Sequence, residues 1–179
     1  RRALERWLYR NCDRLIARVP TDAADIQRLY GPGLAVSIEP NTVDAAKLPR
    51  PANLRYTADD FAFVCIARFD FQKGQDTLID AIARAQGDLR RAGRRTLLIG
   101  DGPMLESVRS RAAQVGIPDL VEFAGEIPDA GVYMTCGRML VAPSRWEGMP
   151  YLLLEAVARG RRVIASDCPG NGDVLAGYA

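Results

Sequence analysis

The chain has 179 residues, of which 48% are hydrophobic and 26% charged, a composition typical of globular proteins. Its formal net charge is only +2, so the basic stripe of a nucleic-acid-binding protein is absent. No apolar run approaches the roughly 18 residues of a membrane-spanning helix, and we expect a cytoplasmic protein. The sequence contains no histidine, which excludes a Ser-His-Asp or Cys-His catalytic arrangement within this chain.

The first part of the chain has the pattern of a β-α-β unit that follows a short helix. Apolar spacing predicts a helix over residues 3–10, a strand over 13–19, a helix over 20–30 and a strand over 34–38. Residues 45–59 are rich in proline and lack periodicity, which predicts a linker and a domain boundary. Because the chain opens without methionine and stops just after a strand and a turn, we expect a fragment of a longer protein.

Beyond the linker, apolar strand-like runs alternate with amphipathic helical segments. The predicted strands cover residues 61–67, 95–99, 120–124, 138–142 and 162–166. The predicted helices cover residues 75–92, 103–115, 129–137 and 151–159. We therefore predict an α/β fold with a Rossmann-like parallel sheet that carries helices on both faces. Ligands of such sheets bind beyond the carboxyl ends of the strands, in this chain at loops 68–74, 100–102, 125–128, 143–150 and 167–172.

The loop after the first strand of this alternation carries two cations. Arg68 and Lys73 lie between the strand and the following helix, and Lys73 is one of only two lysines in the chain. A helix N-terminus already favours anions through its unpaired N–H groups, and two fixed cations strengthen that preference. The pattern favours a diphosphate site, with a solvated loop and an Arg68–Asp70 surface pair as the alternative.

Two glutamates mark the loop and helix after the fourth strand of the alternation. Glu147 lies in the loop and Glu155 in the helix, on the order of 10 Å apart at about 1.5 Å per helical residue. Because a carboxylate accepts several hydroxyl hydrogen bonds, the pair suits one subsite for a sugar and another for a ribose. A cap-region acid and a helix surface acid are one alternative interpretation. The carboxylate pair of an inverting glycosidase, about 6.5–9.5 Å apart, is another, whereas the spacing of about 5–5.5 Å in a retaining glycosidase is too short.

Two other ligand classes find little support. The turn Gly100-Asp101-Gly102-Pro103 lacks the third glycine of a dinucleotide fingerprint. Pro103 suits the first position of a helix, so we expect a helix to begin directly after this turn. No Asp-x-Asp pair and no paired cysteine motif is present, so no metal site is expected. Neutralisation of a diphosphate would then depend on Arg68 and Lys73.

In order and spacing, these motifs resemble the retaining glycosyltransferases of the GT-B fold, family 4, also called glycosyl transferases group 1. The stretches that carry the resemblance are 39–44, 67–74, 99–103, 121–125 and 143–156. The resemblance implies that residues 1–44 are the last β-α-β of an N-terminal acceptor domain and residues 45–59 an interdomain linker. Residues 60–179 would then be a truncated domain that binds a nucleotide-sugar donor.

The resemblance also implies roles for individual residues. Arg68 and Lys73 would bind the nucleotide diphosphate, and Glu147 would bind hydroxyls of the donor sugar; these three form the implied catalytic set. The other implied donor-binding residues are Glu155 at the ribose, Gly125 and Ile127 at the base, and Gly148, Met149, Tyr151 and Leu152 through their backbones. No metal and no cofactor belong to this set.

The reaction implied by the resemblance is the transfer of a sugar from a UDP- or GDP-linked donor with retention of configuration. The leaving phosphate would assist deprotonation of the acceptor, a glycan or lipid-linked glycan in polysaccharide assembly, so no protein general base is required. One alternative is a degenerate donor domain that acts as a binding or structural subunit, against which the intact Arg68, Lys73, Glu147 and Glu155 argue. Another is a Rossmann nucleotide-sugar epimerase or dehydrogenase, against which the incomplete glycine fingerprint argues.

The N-terminal segment raises the question of a peripheral membrane contact. Arg1, Arg2, Arg6 and Arg10 accompany Leu4, Trp7 and Leu8 in what could be a basic amphipathic helix. An interdomain helix with a solvated arginine face is the alternative interpretation.

Overall fold

A computed structural model describes residues 2–57 and 61–176. Arg1 and the two ends of the expected donor domain, residue 60 and residues 177–179, lie outside the described residues, as does the end of the expected linker. The described chain forms two parallel sheets, one of two strands and one of five.

The N-terminal part contains helix α1 (Arg2–Arg10), strand β1 (Leu15–Ala17), helix α2 (Pro20–Tyr30) and strand β2 (Val36–Ile38). The two strands pair in parallel with Leu15 opposite Val36, which confirms the β-α-β order expected from the sequence. Helix α1 leaves Leu4, Trp7 and Leu8 exposed, with 61% of the Trp7 surface accessible. In residues 2–57 and 61–176, no helix combines the length and apolar character that crossing a bilayer would need.

The segment between the two sheets is mostly irregular and partly anchored. It contains a 3-10 turn, Ala45–Lys47, which begins where the Asp44 carboxylate accepts a hydrogen bond from the Ala46 N–H. Further along, the buried Tyr56 packs edge-on against Phe61, with 5.4 Å between ring centroids.

The larger sheet has the strand order β5-β4-β3-β6-β7, and every neighbouring pair is parallel. The strands are β3 (Phe61–Ile66), β4 (Arg95–Ile99), β5 (Val121–Gly125), β6 (Gly137–Ala142) and β7 (Val163–Ala165). The helices between and after them are α3 (Gln75–Arg84), α4 (Gln86–Arg91), α5 (Leu105–Gln114), α6 (Tyr151–Ala158) and α7 (Pro169–Ala176). This is the Rossmann-like α/β fold that the alternating pattern predicts.

Both faces of the sheet are covered, as the continuous apolar strands require. Leu98 packs on one face, in a buried cluster with Ile79 of α3 and Val108 of α5. Its neighbours Leu97 and Ile99 point to the opposite face, where they meet the 3-10 segment Ala130–Cys136. Helices α6 and α7 cover β6 and β7 through a third buried cluster.

Three local predictions were wrong. The helix predicted over 75–92 is broken at Ala85, whose N–H bonds to both Ala81 and Ile82, and Gly87 weakens helix continuation just beyond. Helix α5 starts at Leu105, so Pro103 lies in a preceding turn and not at the first helical position. Helix α7 occupies much of the predicted loop 167–172.

Candidate functional site

The candidate site lies at the carboxyl ends of two adjacent central strands, β3 and β6. Parallel strands present their carboxyl ends at one edge of the sheet, so the loops that follow β3 and β6 lie side by side. The first loop, residues 67–74, contains a 3-10 turn at Phe71–Lys73 and carries both predicted cations. The second loop, residues 143–150, carries Glu147 and leads into helix α6.

The structure brings Lys73 and Glu147 into direct contact. The Lys73 Nζ donates to the Glu147 Oε1 at 2.7 Å, and the two side chains are 27% and 10% exposed. The Gln72 Nε2 lies 3.5 Å from the other oxygen of this carboxylate, Glu147 Oε2, and donates to the Trp146 carbonyl at 2.9 Å. An ion pair this far removed from water is more strongly coupled than an exposed pair, because solvent screens it less.

Glycine allows the two loops to approach each other closely. Gly74 has a φ of 67°, in the left-handed region that glycine adopts readily. A Cβ at this position would overlap the Pro143 carbonyl oxygen of the other loop and lie 3.1 Å from its carbon. Gly74 therefore fixes both the turn into helix α3 and the contact between the loops.

The buried side-chain amide of Gln75 supports the backbone of the first loop. Gln75 is 2% exposed, and its Nε2 donates to the Arg68 carbonyl at 2.9 Å. The Asp70 carboxylate accepts from the Gln72 N–H and caps the 3-10 turn. The backbone that carries Arg68 and Lys73 is thus organised by side chains of its own loop and helix.

Arg68 lines two cavities at this edge of the sheet. The larger, of about 500 Å³, is lined by Arg68, Ile127 and the Gly100–Gly102 turn. The smaller, of about 200 Å³, is lined by Arg68, Lys73, Glu147 and Leu152. The Arg68 side chain is exposed, so its guanidinium is free to meet a ligand that enters from solvent.

The Gly100–Gly102 turn packs against the first loop. Gly100 and Gly102 have φ values of 136° and 152°, and a Cβ at either would meet the backbone of Ala67 or Phe69. The Phe69 N–H donates to the Asp101 carbonyl at 2.8 Å. The glycines therefore serve close backbone packing along the wall of the larger cavity.

The remaining predicted residues lie around these cavities in different settings. Glu155 is half-buried, and its carboxylate lies where a Cβ on Gly131 would be. Gly131 follows Ala130, a wall residue of the larger cavity. Gly125 has a φ of 74°, and its carbonyl accepts from the Gly100 N–H at 2.8 Å.

The second loop sends its side chains in several directions. Met149 contacts Asn41, in the segment that follows β2. The Met149 Sδ accepts a hydrogen bond from the Asn41 N–H at 3.1 Å, and the Met149 carbonyl accepts one from the Asn41 Nδ2 at 2.8 Å. Tyr151 is exposed. The carbonyl of Gly148 lies against Gly170, a position where a Cβ would overlap it.

Ionisable groups near the site respond to their surroundings. Burial raises the pKa of the Cys65 thiol to about 12, although the neighbouring Lys73 opposes this rise. Hydrogen bonds from Arg145 lower the pKa of the Asp76 carboxyl. Within residues 2–57 and 61–176, no three His, Cys, Asp or Glu side chains gather into a possible metal site.

Two features of the site were not predicted from the sequence. Arg145 forms an ion pair with Asp76 at 2.7 Å, and 69 residues separate the two in the chain. Asn171 is buried against Ser166 and lines the smaller cavity, with no partner for its Oδ1 among the described atoms. The only sequence signal for Arg145 was its position directly before the Trp-Glu-Gly motif. Asn171 lies in helix α7, where the sequence had predicted a loop.

Comparison with known proteins places this architecture in a family. The model for "Glycosyl transferases group 1" matches residues 60–178. Glycogen synthase of Mycobacterium tuberculosis is 28% identical over 178 residues, or 97% of this chain and 42% of that protein. The GDP-mannose-dependent alpha-(1-6)-phosphatidylinositol monomannoside mannosyltransferase of the same organism is 32% identical over 162 residues, or 82% of this chain and 42% of that protein.

The fold also matches a solved structure with bound ligands. The crystal structure of Anabaena HepE in complex with UDP and glucose superposes with a TM-score of 0.77 at 21% identity, over 91% of this chain and 46% of that one. The chain thus spans less than half the length of the proteins it matches. Because the family model covers well over half of this chain, the chain belongs to the group 1 glycosyl transferases of the GT-B fold.

Proposed function

We propose that this chain is the donor-binding part of a retaining glycosyltransferase that uses a nucleotide-diphosphate sugar without a metal ion. The observation that carries the proposal is the Lys73–Glu147 pair, 2.7 Å apart beside Arg68 at the carboxyl edge of the sheet. This arrangement offers cations for a diphosphate next to a carboxylate for sugar hydroxyls.

In this proposal the two cavities receive the two ends of the donor. The larger cavity, bounded by Ile127, takes the nucleoside, with Gly125 near the base and Glu155 at the ribose. The smaller cavity takes the sugar, with Glu147 on its hydroxyls. Arg68 borders both cavities, which suits a diphosphate that joins nucleoside and sugar. The backbone N–H groups of Gly148, Met149, Tyr151 and Leu152 complete the donor site.

The cations also account for the chemistry in this proposal. Negative charge builds on the diphosphate as the bond to the sugar breaks, and Arg68 and Lys73 stabilise that charge in place of a metal ion. The leaving phosphate then accepts the proton of the attacking hydroxyl on the same face of the sugar, which retains the configuration. A protein base is unnecessary in this scheme, which agrees with a sequence that lacks histidine.

The proposal extends to the organisation of the longer protein. Residues 1–44 are the end of an acceptor domain, 45–59 the linker and 60–179 the start of the donor domain. The acceptor is a glycan or lipid-linked glycan, and the protein works in the cytoplasm. The exposed Leu4, Trp7 and Leu8 of α1 meet either the rest of the acceptor domain or a membrane surface.

Calorimetric titration with UDP, GDP, ADP and NAD tests the function, with Lys47→Ala as the matched control for Lys73→Ala. Lys47 forms an ion pair with Asp44 at 3.3 Å on the surface. Either UDP or GDP should bind, and its affinity should be the same with and without EDTA. Lys73→Ala should weaken it roughly ten- to a hundredfold, the value of a charged hydrogen bond, and Lys47→Ala should not.

The other outcomes identify the alternatives. Binding of NAD alone would contradict the proposal in favour of a dehydrogenase or epimerase. Absence of binding by every nucleotide would contradict it in favour of a degenerate domain with a structural role. The chain by itself should transfer no sugar, since a GT-B reaction takes place between two complete domains.

A further inference from the structure

The guanidinium of Arg145 connects the two loops of the site. Its Nη1 donates to the Phe71 carbonyl at 2.6 Å and to the Asp76 Oδ1 at 3.0 Å, and its Nη2 donates to the Asp76 Oδ2 at 2.7 Å. The Arg145 N–H donates to the Gln72 carbonyl at 2.7 Å. We call these four contacts the Arg145 clamp.

The clamp has a geometry that lysine cannot reproduce. Two parallel hydrogen bonds to one carboxylate need the planar fork of a guanidinium, and a third goes to the backbone. The guanidinium carbon also lies 4.1 Å from the centroid of the Phe71 ring, which restricts it from a further side. The side chain of Arg145 is therefore held in one orientation.

The clamp grips both loops close to their functional side chains. On the first loop it holds the carbonyls of Phe71 and Gln72, the two residues before Lys73. On the second loop Arg145 is two residues before Glu147. Asp76 anchors it to the first turn of helix α3, a rigid element. Together with the close approach of Gly74 to Pro143 and the Gln72–Trp146 hydrogen bond, the clamp thus sets the separation of the Lys73 and Glu147 backbones.

We propose that Arg145 is a positioning residue that holds Lys73 and Glu147 at the distance needed to bind the donor. The inference rests on the proposed function because it concerns the same site. No hydrogen bond or ion pair among the described residues joins Arg145 to the ammonium group of Lys73 or the carboxylate of Glu147, so it acts through the loops.

A second ion pair of the same domain provides a matched control. The Arg111 Nε donates to the Asp80 Oδ1 at 2.9 Å, which joins α5 to α3, the helix that also carries Asp76. Arg111 contacts neither loop of the site in the described hydrogen bonds and ion pairs. Its removal costs an ion pair on α3 without releasing Lys73 or Glu147.

The first test reads the Lys73 side chain directly. With lysine labelled at Cε, the protein gives two methylene signals, because Lys47 and Lys73 are the only lysines. A Lys47→Arg variant assigns them. In the unaltered protein the two Cε protons of Lys73 should have different chemical shifts. In Arg145→Ala the two shifts should become equal and move to the value of the exposed Lys47. Arg111→Ala should leave the Lys73 signal unchanged.

Arg145→Lys guards against a folding defect in the alanine variant. It retains the charge but loses the fork, so Lys73 should still be released while the circular dichroism spectrum stays native. The introduced lysine adds a third methylene signal, which is identified by its absence from the Arg145→Ala spectrum. A Lys73 signal that is unchanged in a folded Arg145→Lys or Arg145→Ala protein overturns the proposal. This test needs no nucleotide and is independent of the proposed function.

The second test is a double-mutant cycle on the affinity for the nucleotide that binds, UDP or GDP. Arg145→Ala should weaken nucleotide binding about fivefold or more when Lys73 is present. In a Lys73→Ala background the same substitution should weaken binding less than twofold. Equal losses in both backgrounds overturn the positioning role and leave the proposed function intact. If Lys73→Ala alone changes nothing, the proposed function fails and the inference fails with it.

Discussion

Replacement of Gly74 by alanine should separate the two loops of the candidate site. The φ of 67° costs a residue with a side chain about 1–2 kcal/mol, since it is a left-handed conformation. The new Cβ would also overlap the Pro143 carbonyl, and crowding of this kind costs a further 1–3 kcal/mol, roughly. We therefore expect the free energy of unfolding to fall by about 2–5 kcal/mol.

Gly93→Ala provides the control for the backbone cost alone. Gly93 has a φ of 61°, but nothing lies within 4 Å of a Cβ built on it. Urea unfolding followed by circular dichroism should show a loss of about 1–2 kcal/mol for Gly93→Ala and a clearly larger loss for Gly74→Ala. Folded Gly74→Ala protein should also bind nucleotide more weakly. Equal losses of stability in the two variants would refute the contact between the loops.

Three further predictions concern pH, thiol reactivity and the core. The pKa of Asp76 is lower in the folded protein than its ordinary value of 3.8, so its pair with Arg145 stabilises the fold above that pH and is lost as the pH falls further. Asp76→Asn should therefore lose less stability than the unaltered protein when urea unfolding is compared at pH 5 and pH 3. Iodoacetamide at pH 8 should alkylate the exposed Cys12 and spare Cys65, whose thiol has a pKa of about 12, as mass spectrometry of the native protein would show; equal labelling would contradict the burial. Leu153→Ala should lower the free energy of unfolding by about 2–5 kcal/mol, because this side chain is fully buried, and a loss below 1 kcal/mol would contradict that packing.

The sequence was sufficient to predict the sheet and the edge at which the loops of the candidate site lie. Continuous apolar runs separated by amphipathic helices have few solutions other than a covered parallel sheet. That architecture brings the ends of its strands to one edge, so the loops with Lys73 and Glu147 were expected to face the same ligand. Which strands are neighbours was not predictable, because the order β5-β4-β3-β6-β7 depends on contacts between distant segments.

Features that depend on tertiary packing were not predictable from local patterns. Helix α7 contains Pro169, Gly170 and Gly172, which weaken any helix signal, yet Gly170 allows the helix to pack against the second loop. The pairing of Arg145 with Asp76 joins residues that no helical or strand spacing connects. Such contacts exist only after β3 and β6 have become neighbours.

A crystal structure with the nucleotide diphosphate that binds best would show whether the loops after β3 and β6 form the donor site. We predict diphosphate oxygens within hydrogen-bond distance of both Arg68 and Lys73. We also predict the nucleoside in the cavity of about 500 Å³ beside Ile127. A nucleotide bound elsewhere, or one whose diphosphate contacts neither cation, would contradict the proposed donor site.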